Sequence, residues 1–116
     1  MHWTEISDRM VGSTVILDVR GHMTLGDQES QLYRYVSALA DAGHRRIVLN
    51  LSHVSYVDSV GVGEIVRVFM HLQWRGGKLR LCGIGPRVGE LLQTTQLDRV
   101  LPISESEADA VASVGE

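Results

Sequence analysis

Between Thr14 and Arg20 the chain reads T-V-I-L-D-V-R. Val15, Leu17 and Val19 fall on one face, Asp18 and Arg20 on the other, which predicts a half-buried strand ended by Gly21. Thr4 to Met10 predicts its hairpin partner, with Gly12-Ser13 as the turn. From Gln28 to Ala42 the spacing changes: Leu32, Tyr35, Val36, Leu39 and Ala40 recur as on one face of a helix, stopped by Gly43. Arg46 to Leu51 is a short apolar run rich in branched residues, suited to a central strand covered on both faces.

After Asp58 the helical spacing returns, with Val62, Ile65, Val66, Phe69 and Leu72 as the core stripe and Gly76-Gly77 as its end. Lys78 to Cys82 alternates as a strand. Pro86 opens a further helix that buries Val88, Leu91 and Leu92. Val100 to Ile103 predicts a short edge strand, where a proline is tolerated, and Glu105 to Val114 a last helix with acid at its start. Strands alternating with helices imply one α/β domain over residues 1–116. Its sheet is mixed and mostly parallel, of four to five strands, with an N-terminal hairpin and about four helices packed on it.

Composition narrows the function. A chain of 116 residues with 44% hydrophobic and 22% charged residues is an ordinary globular domain. Its net charge of −3, without a basic stripe, argues against nucleic acid as a partner. No apolar run has the length of a membrane span, the start carries no signal-peptide pattern, and Cys82 has no internal partner, so the expectation is a cytoplasmic protein without membrane insertion.

The informative stretch is Y-V-D-S-V-G-V-G-E-I-V, from Tyr56 to Val66, where a strand-like run passes into a helix through Asp58 and Ser59. With Leu49 to Ser55 before it, it resembles the signature of STAS-domain anti-sigma factor antagonists. The likeness extends from about Thr14 to Val114, through Gly21, Gly76-Gly77-Lys78-Leu79 and Pro86-x-Val88-x-x-Leu91. The resemblance implies a binding protein rather than an enzyme, needing no cofactor. It implies capture of an anti-sigma factor that is itself a serine kinase using ATP and magnesium, so that a sigma factor is released. Ser59 stands where that family is phosphorylated, and a metal-dependent serine phosphatase is the implied partner that reverses the step. Three positions depart from familiar members: Val60 replaces a common second serine, Thr24 stands where several relatives have aspartate, and Gln96 where glycine is frequent, which puts the end of the preceding helix in question.

Local chemistry fits a switch independently. Asp58 or Ser59 is placed to cap the helix, since either side chain accepts from an unpaired amide. Gly61 and Gly63 keep its first turn bare for a close approach. The flank Val60, Gly63, Arg67, Met70 and Trp74 carries more large groups than an ordinary solvated face and is the candidate partner seat, together with Asp58, Ser59 and Thr24.

Other readings are weaker. Ser59 lacks the G-x-S-x-G context of a nucleophile, and nothing supplies a general base; His53 is near only in sequence. Gly83 to Gly89 has Val88 where a dinucleotide fingerprint needs its third glycine. The five histidines show no metal-ligand spacing and read as surface residues. Cys82 reads as a buried hydrophobe, and Asn50 at a strand end as a residue making a simple backbone hydrogen bond rather than ordering the loop before Ser59. The alternative of another class is a non-switching scaffold or accessory subunit of a stressosome-like or lipid-transport assembly, with Ser59 only a cap.

Overall fold

The computed structural model describes residues 4–23 and 31–115. Its sheet has four strands in chain order: β1 (Thr4–Val11), β2 (Thr14–Met23), β3 (Arg46–Val57) and β4 (Lys78–Cys82). β1 and β2 form an antiparallel hairpin closed at Val11 and Thr14. Its two-residue turn needs a positive φ, which Gly12 supplies at 62°. β2, β3 and β4 run parallel, so the chain must cross over through helices. α1 (Gln31–Asp41) joins β2 to β3, and α2 (Ser59–Trp74) joins β3 to β4. The mixed, mostly parallel sheet is the one expected. The start of the predicted helix at Gln28 lies outside the described residues.

One face of the sheet carries the main core. Val15, Leu17 and Val19 of β2 and Ile47, Leu49 and Leu51 of β3 pack under Leu32, Val36 and Ala40 of α1 and Val62, Ile65, Val68 and Leu72 of α2. α3 (Pro86–Thr94) adds Val88 and Leu92. The other face is also covered. Ile16, Val48 and Cys82 meet Ala110 and Val114 of α4 (Glu107–Val114), capped by Ser106, whose hydroxyl accepts from Asp109 N–H at 3.1 Å. β2 is therefore buried on both faces at Ile16, where alternation alone predicted a half-buried strand. Cys82 is buried as expected, and burial pushes its thiol up to about 11.

Three further elements differ from the pattern-based expectation. β3 runs to Val57 instead of stopping at Leu51. Its polar second half, with Ser52, His53 and Ser55 exposed, is held by backbone pairing to the end of β2 across two register irregularities. The predicted edge strand at Val100 to Ile103 shrinks to a single bridge: Leu81 N–H donates to Pro102 O at 2.9 Å, and Ser104 N–H donates to Leu81 O at 2.8 Å. Pro102 has no N–H to continue a ladder. In α2 the buried row is Gly61, Val62, Ile65, Val68 and Leu72, while Val66 and Phe69 are only half-buried. α1 packs on the Val68 side of the helix, which turns the covered face towards it.

Gln96, φ 61°, follows the end of α3 and is the one non-glycine residue with positive φ among those described. The helix nevertheless closes in the usual way, with Thr95 N–H on Leu91 O and Gln96 N–H on Gln93 O, both at 3.0 Å. The cost of the left-handed glutamine is on the order of 1 kcal/mol.

On the α4 side, Arg9 joins three elements. It holds Asp18 bidentately, Nε to Oδ2 at 2.8 Å and Nη2 to Oδ1 at 3.2 Å, and donates to both carboxylate oxygens of Glu107. Asn50 Nδ2 adds a bond to Glu107 Oε1 at 3.1 Å. Arg9 holds the Glu107 carboxyl below its ordinary value of 4.5, outweighing the opposite push of burial. Because folding lowers this pKa, the pair stabilises the fold above about pH 4.5 and loses that contribution as pH falls through the lower folded value. Glu107→Gln is expected to destabilise the protein at pH 7 and to flatten its loss of stability as pH falls below about 4.5, read from urea midpoints along the pH series. Parallel pH profiles for the two proteins would contradict this.

Candidate functional site

β3 delivers its last residue, Val57, to the C-terminal rim of the sheet, and α2 starts two residues later. The junction is held by Asp58. With φ −109° and ψ −176° it is extended, and its Oδ1 accepts from Val60 N–H at 3.1 Å and Gly61 N–H at 3.0 Å. Its carbonyl accepts from Val62 N–H at 3.0 Å. Of the two candidates, Asp58 is the cap. Ser59 is the first helical residue and is exposed, so its hydroxyl faces solvent at the positive end of the helix.

The cap also sets the phase of the helix. At about 100° per residue, Ser59, Val60, Gly63, Arg67, Met70 and Trp74 fall within roughly 100° of arc, opposite the buried row. All six are exposed, Val60 by 49%, Met70 by 61% and Trp74 by 90%. The outward face of α2 is thus apolar where a solvated helix would be charged. Gly61 is buried under the first turn, whereas a Cβ on Gly63 would meet nothing within 4 Å. The fold itself does not require glycine at 63. The structure therefore brings Asp58, Ser59, Val60, Gly61, Gly63, Arg67 and Met70 onto one helix and its cap; Thr24 lies outside the described residues.

Tyr33, Glu64 and His71, which sequence reasoning did not single out, lie beside this face and meet Arg67 there. Glu64 Oε2 accepts from the amides of Leu32 at 2.9 Å and Tyr33 at 3.4 Å, so α2 caps the start of α1. The Arg67 guanidinium lies over the Tyr33 ring, 3.9 Å from its centroid. His71, expected on the surface, is half-buried between the Tyr33 hydroxyl and the Ser37 hydroxyl, each at 3.3 Å. The recurrence of Glu64, Arg67 and His71 at helical spacing was the available signal, but a polar row on a helix ordinarily reads as solvated.

The remaining candidates have structural partners. Asn50 Oδ1 accepts from Ser52 N–H at 3.0 Å and Ser52 Oγ at 2.6 Å. Gly83, φ 71°, passes so close that a Cβ there would stand 2.7 Å from Asn50 Oδ1, so the glycine-rich stretch begins as a packed turn. His53 is exposed on β3 opposite Arg20. Among the described residues no group of three histidine, cysteine or acidic side chains is placed to hold a metal, and no helix is long and apolar enough to cross a membrane.

Comparison with known proteins agrees with this geometry. The STAS domain profile matches residues 5–110. The chain is similar to BtrV of Bordetella bronchiseptica, named as an anti-sigma factor antagonist, with 31% identity over 83 residues, 72% of each chain. Its fold is similar to the crystal structure of an anti-sigma factor antagonist from Mycobacterium paratuberculosis, with a TM-score of 0.84 at 18% identity over 97% of this chain and 95% of that one. It is also similar to the anti-sigma factor antagonist SpoIIAA in its unphosphorylated form, with a TM-score of 0.74 at 24% identity over 95% and 96%. The phosphorylated form from Bacillus gives 0.69 at 22% over 95% and 99%. With a four-stranded mixed sheet, helices on both faces and a profile match across nearly its whole length, the chain belongs to the STAS domain family.

Proposed function

We propose that this protein is a non-enzymatic anti-sigma factor antagonist that captures an anti-sigma factor with serine kinase activity, and that phosphorylation of Ser59 releases the captured partner. The observation that carries the reading is the exposed Ser59 hydroxyl at the first position of an Asp58-capped helix whose outward face is apolar. The names of its relatives supply the partner class.

A phosphate on Ser59 adds about −1.5 to −2 charge at pH 7. The start of α2 favours a negative charge by about 0.3–1 kcal/mol, and Asp58 opposes it, so the effect on the fold is small. A partner seated over the helix, however, must strip water from the phosphate or meet it with positive charge, and an uncompensated charge at an interface costs several kcal/mol. Since about 1.4 kcal/mol is a tenfold change in affinity, the partner feels the modification far more than the fold does. A phosphatase that removes it resets the cycle.

Two outcomes test this. Captured from lysate of its native cells and then purified, the kinase is expected to bind Ser59→Ala as tightly as the unmodified protein in calorimetric titration. Ser59→Asp is expected to bind at least about tenfold more weakly. Equal affinities for the two variants would favour a scaffold that merely uses Ser59 as part of a helix start. Gly63→Ala separates fold from function: with open space around the new methyl it should stabilise the helix by up to about 1 kcal/mol in denaturation. The same change should weaken capture, because it fills the surface the partner approaches. Tighter or unchanged binding would remove Gly63 from the interface.

A further inference from the structure

Arg87 is a cation in an unfavourable place. It is exposed at the second position of α3, near the positive end of the helix, and no acidic residue stands in that first turn to offset it. Among the described residues it makes no hydrogen bond or ion pair, and Glu90, one turn further on, is not bonded to it. Such a break with local preference is the pattern of a residue kept for function rather than for folding.

The cavity that Arg87 lines points to its counter-charge. Arg87, Glu90, Leu91 and Thr94 form one face of α3 and enclose, with Tyr56 and Val57, a cavity of about 330 Å³ at the end of β3. Asp58 and Ser59 follow Val57 directly, and two residues span at most about 7 Å, so Ser59 starts α2 beside that cavity. The phase of α2 turns the serine the same way. Ser59 shares a row with Val62, Val66, Phe69 and Gln73. Phe69 and Gln73 line a second cavity with Leu79 and Arg80, so this row faces β4, the strand that leads into α3. Ser59 is thus at the α3 edge of the outward stripe, whereas Arg67 is at the α1 edge, over Tyr33.

Resting on the reading that Ser59 is phosphorylated, we propose that Arg87 is the in-chain counter-ion of that phosphate, tying the start of α2 to the start of α3 in the modified protein. A phosphate offers several acceptor oxygens, and the planar guanidinium presents paired N–H donors that match two of them, a charge-assisted contact stronger than a neutral one. An anion brought to this end of α3 also offsets the unfavourable place of the cation. One cation leaves the phosphate net negative, so the effect on a captured partner keeps its sign.

The test is a cycle of phosphorylation against substitution at Arg87, an exposed position. Phosphoserine incorporated at position 59 during synthesis supplies uniformly modified protein, with and without Arg87→Ala, and each form is melted beside its unmodified counterpart. At low salt, phosphorylation should shift the melting temperature of the parent upward by about 2–4 °C relative to its shift in Arg87→Ala. Added salt should shrink that difference, because the pair is exposed. Equal shifts in the two proteins, or a difference that salt leaves unchanged, would overturn the pairing while leaving the switch at Ser59 intact. Failure of the switch itself is read separately, as equal capture of the kinase by Ser59→Ala and Ser59→Asp.

Discussion

Two hydrogen bonds from the Asp58 carboxylate, to the amides of Val60 and Gly61, decide how the most informative part of this molecule is presented. They start α2 at Ser59, and the starting residue fixes the phase of all that follows. A one-residue shift would turn the helix by about 100° and carry Val62, Ile65, Val68 and Leu72 away from the sheet. The same phase puts the serine and the apolar stripe outward together. Because the aspartate does the capping, the hydroxyl is left available at the surface.

The sheet supports that junction from below. β3 lies between two parallel neighbours, buried on both faces through its first half, and then runs on along β2 to the rim. Behind it, α4 is tied to the hairpin by Arg9, Asp18, Glu107 and Asn50, so the second face is closed by charge-assisted bonds as well as by Ile16, Val48 and Cys82. A domain braced on both sides can carry a new charge at one loop without rearranging. Under the proposed function, the consequence of that charge falls on the partner seated there.

Much of this was legible from residue order. The strand and helix order, the hairpin at Gly12, the proline start of α3 and the Asp58–Ser59 junction follow from period, turn chemistry and capping. What escaped was set by neighbours distant in sequence. The length of β3 depends on pairing with β2 through residues whose side chains are polar and exposed, and hydrophobic period is silent there. Val68 is buried because α1 lies beside it. Tyr33, Glu64 and His71 form one cluster only once the two helices pack, so separately they look like solvated positions. Of the partner residues expected from sequence, those on α2 and its cap gather along one helix.

The most direct test of the account is whether the hydroxyl exposed by the Asp58 cap receives phosphate. Peptide mass spectrometry on the protein purified from its native cells, in growth and under stress, reads this at residue resolution. The account predicts phosphate on Ser59 in a proportion that changes with conditions. An unmodified Ser59 in every condition, with the peptide fully covered, would contradict it.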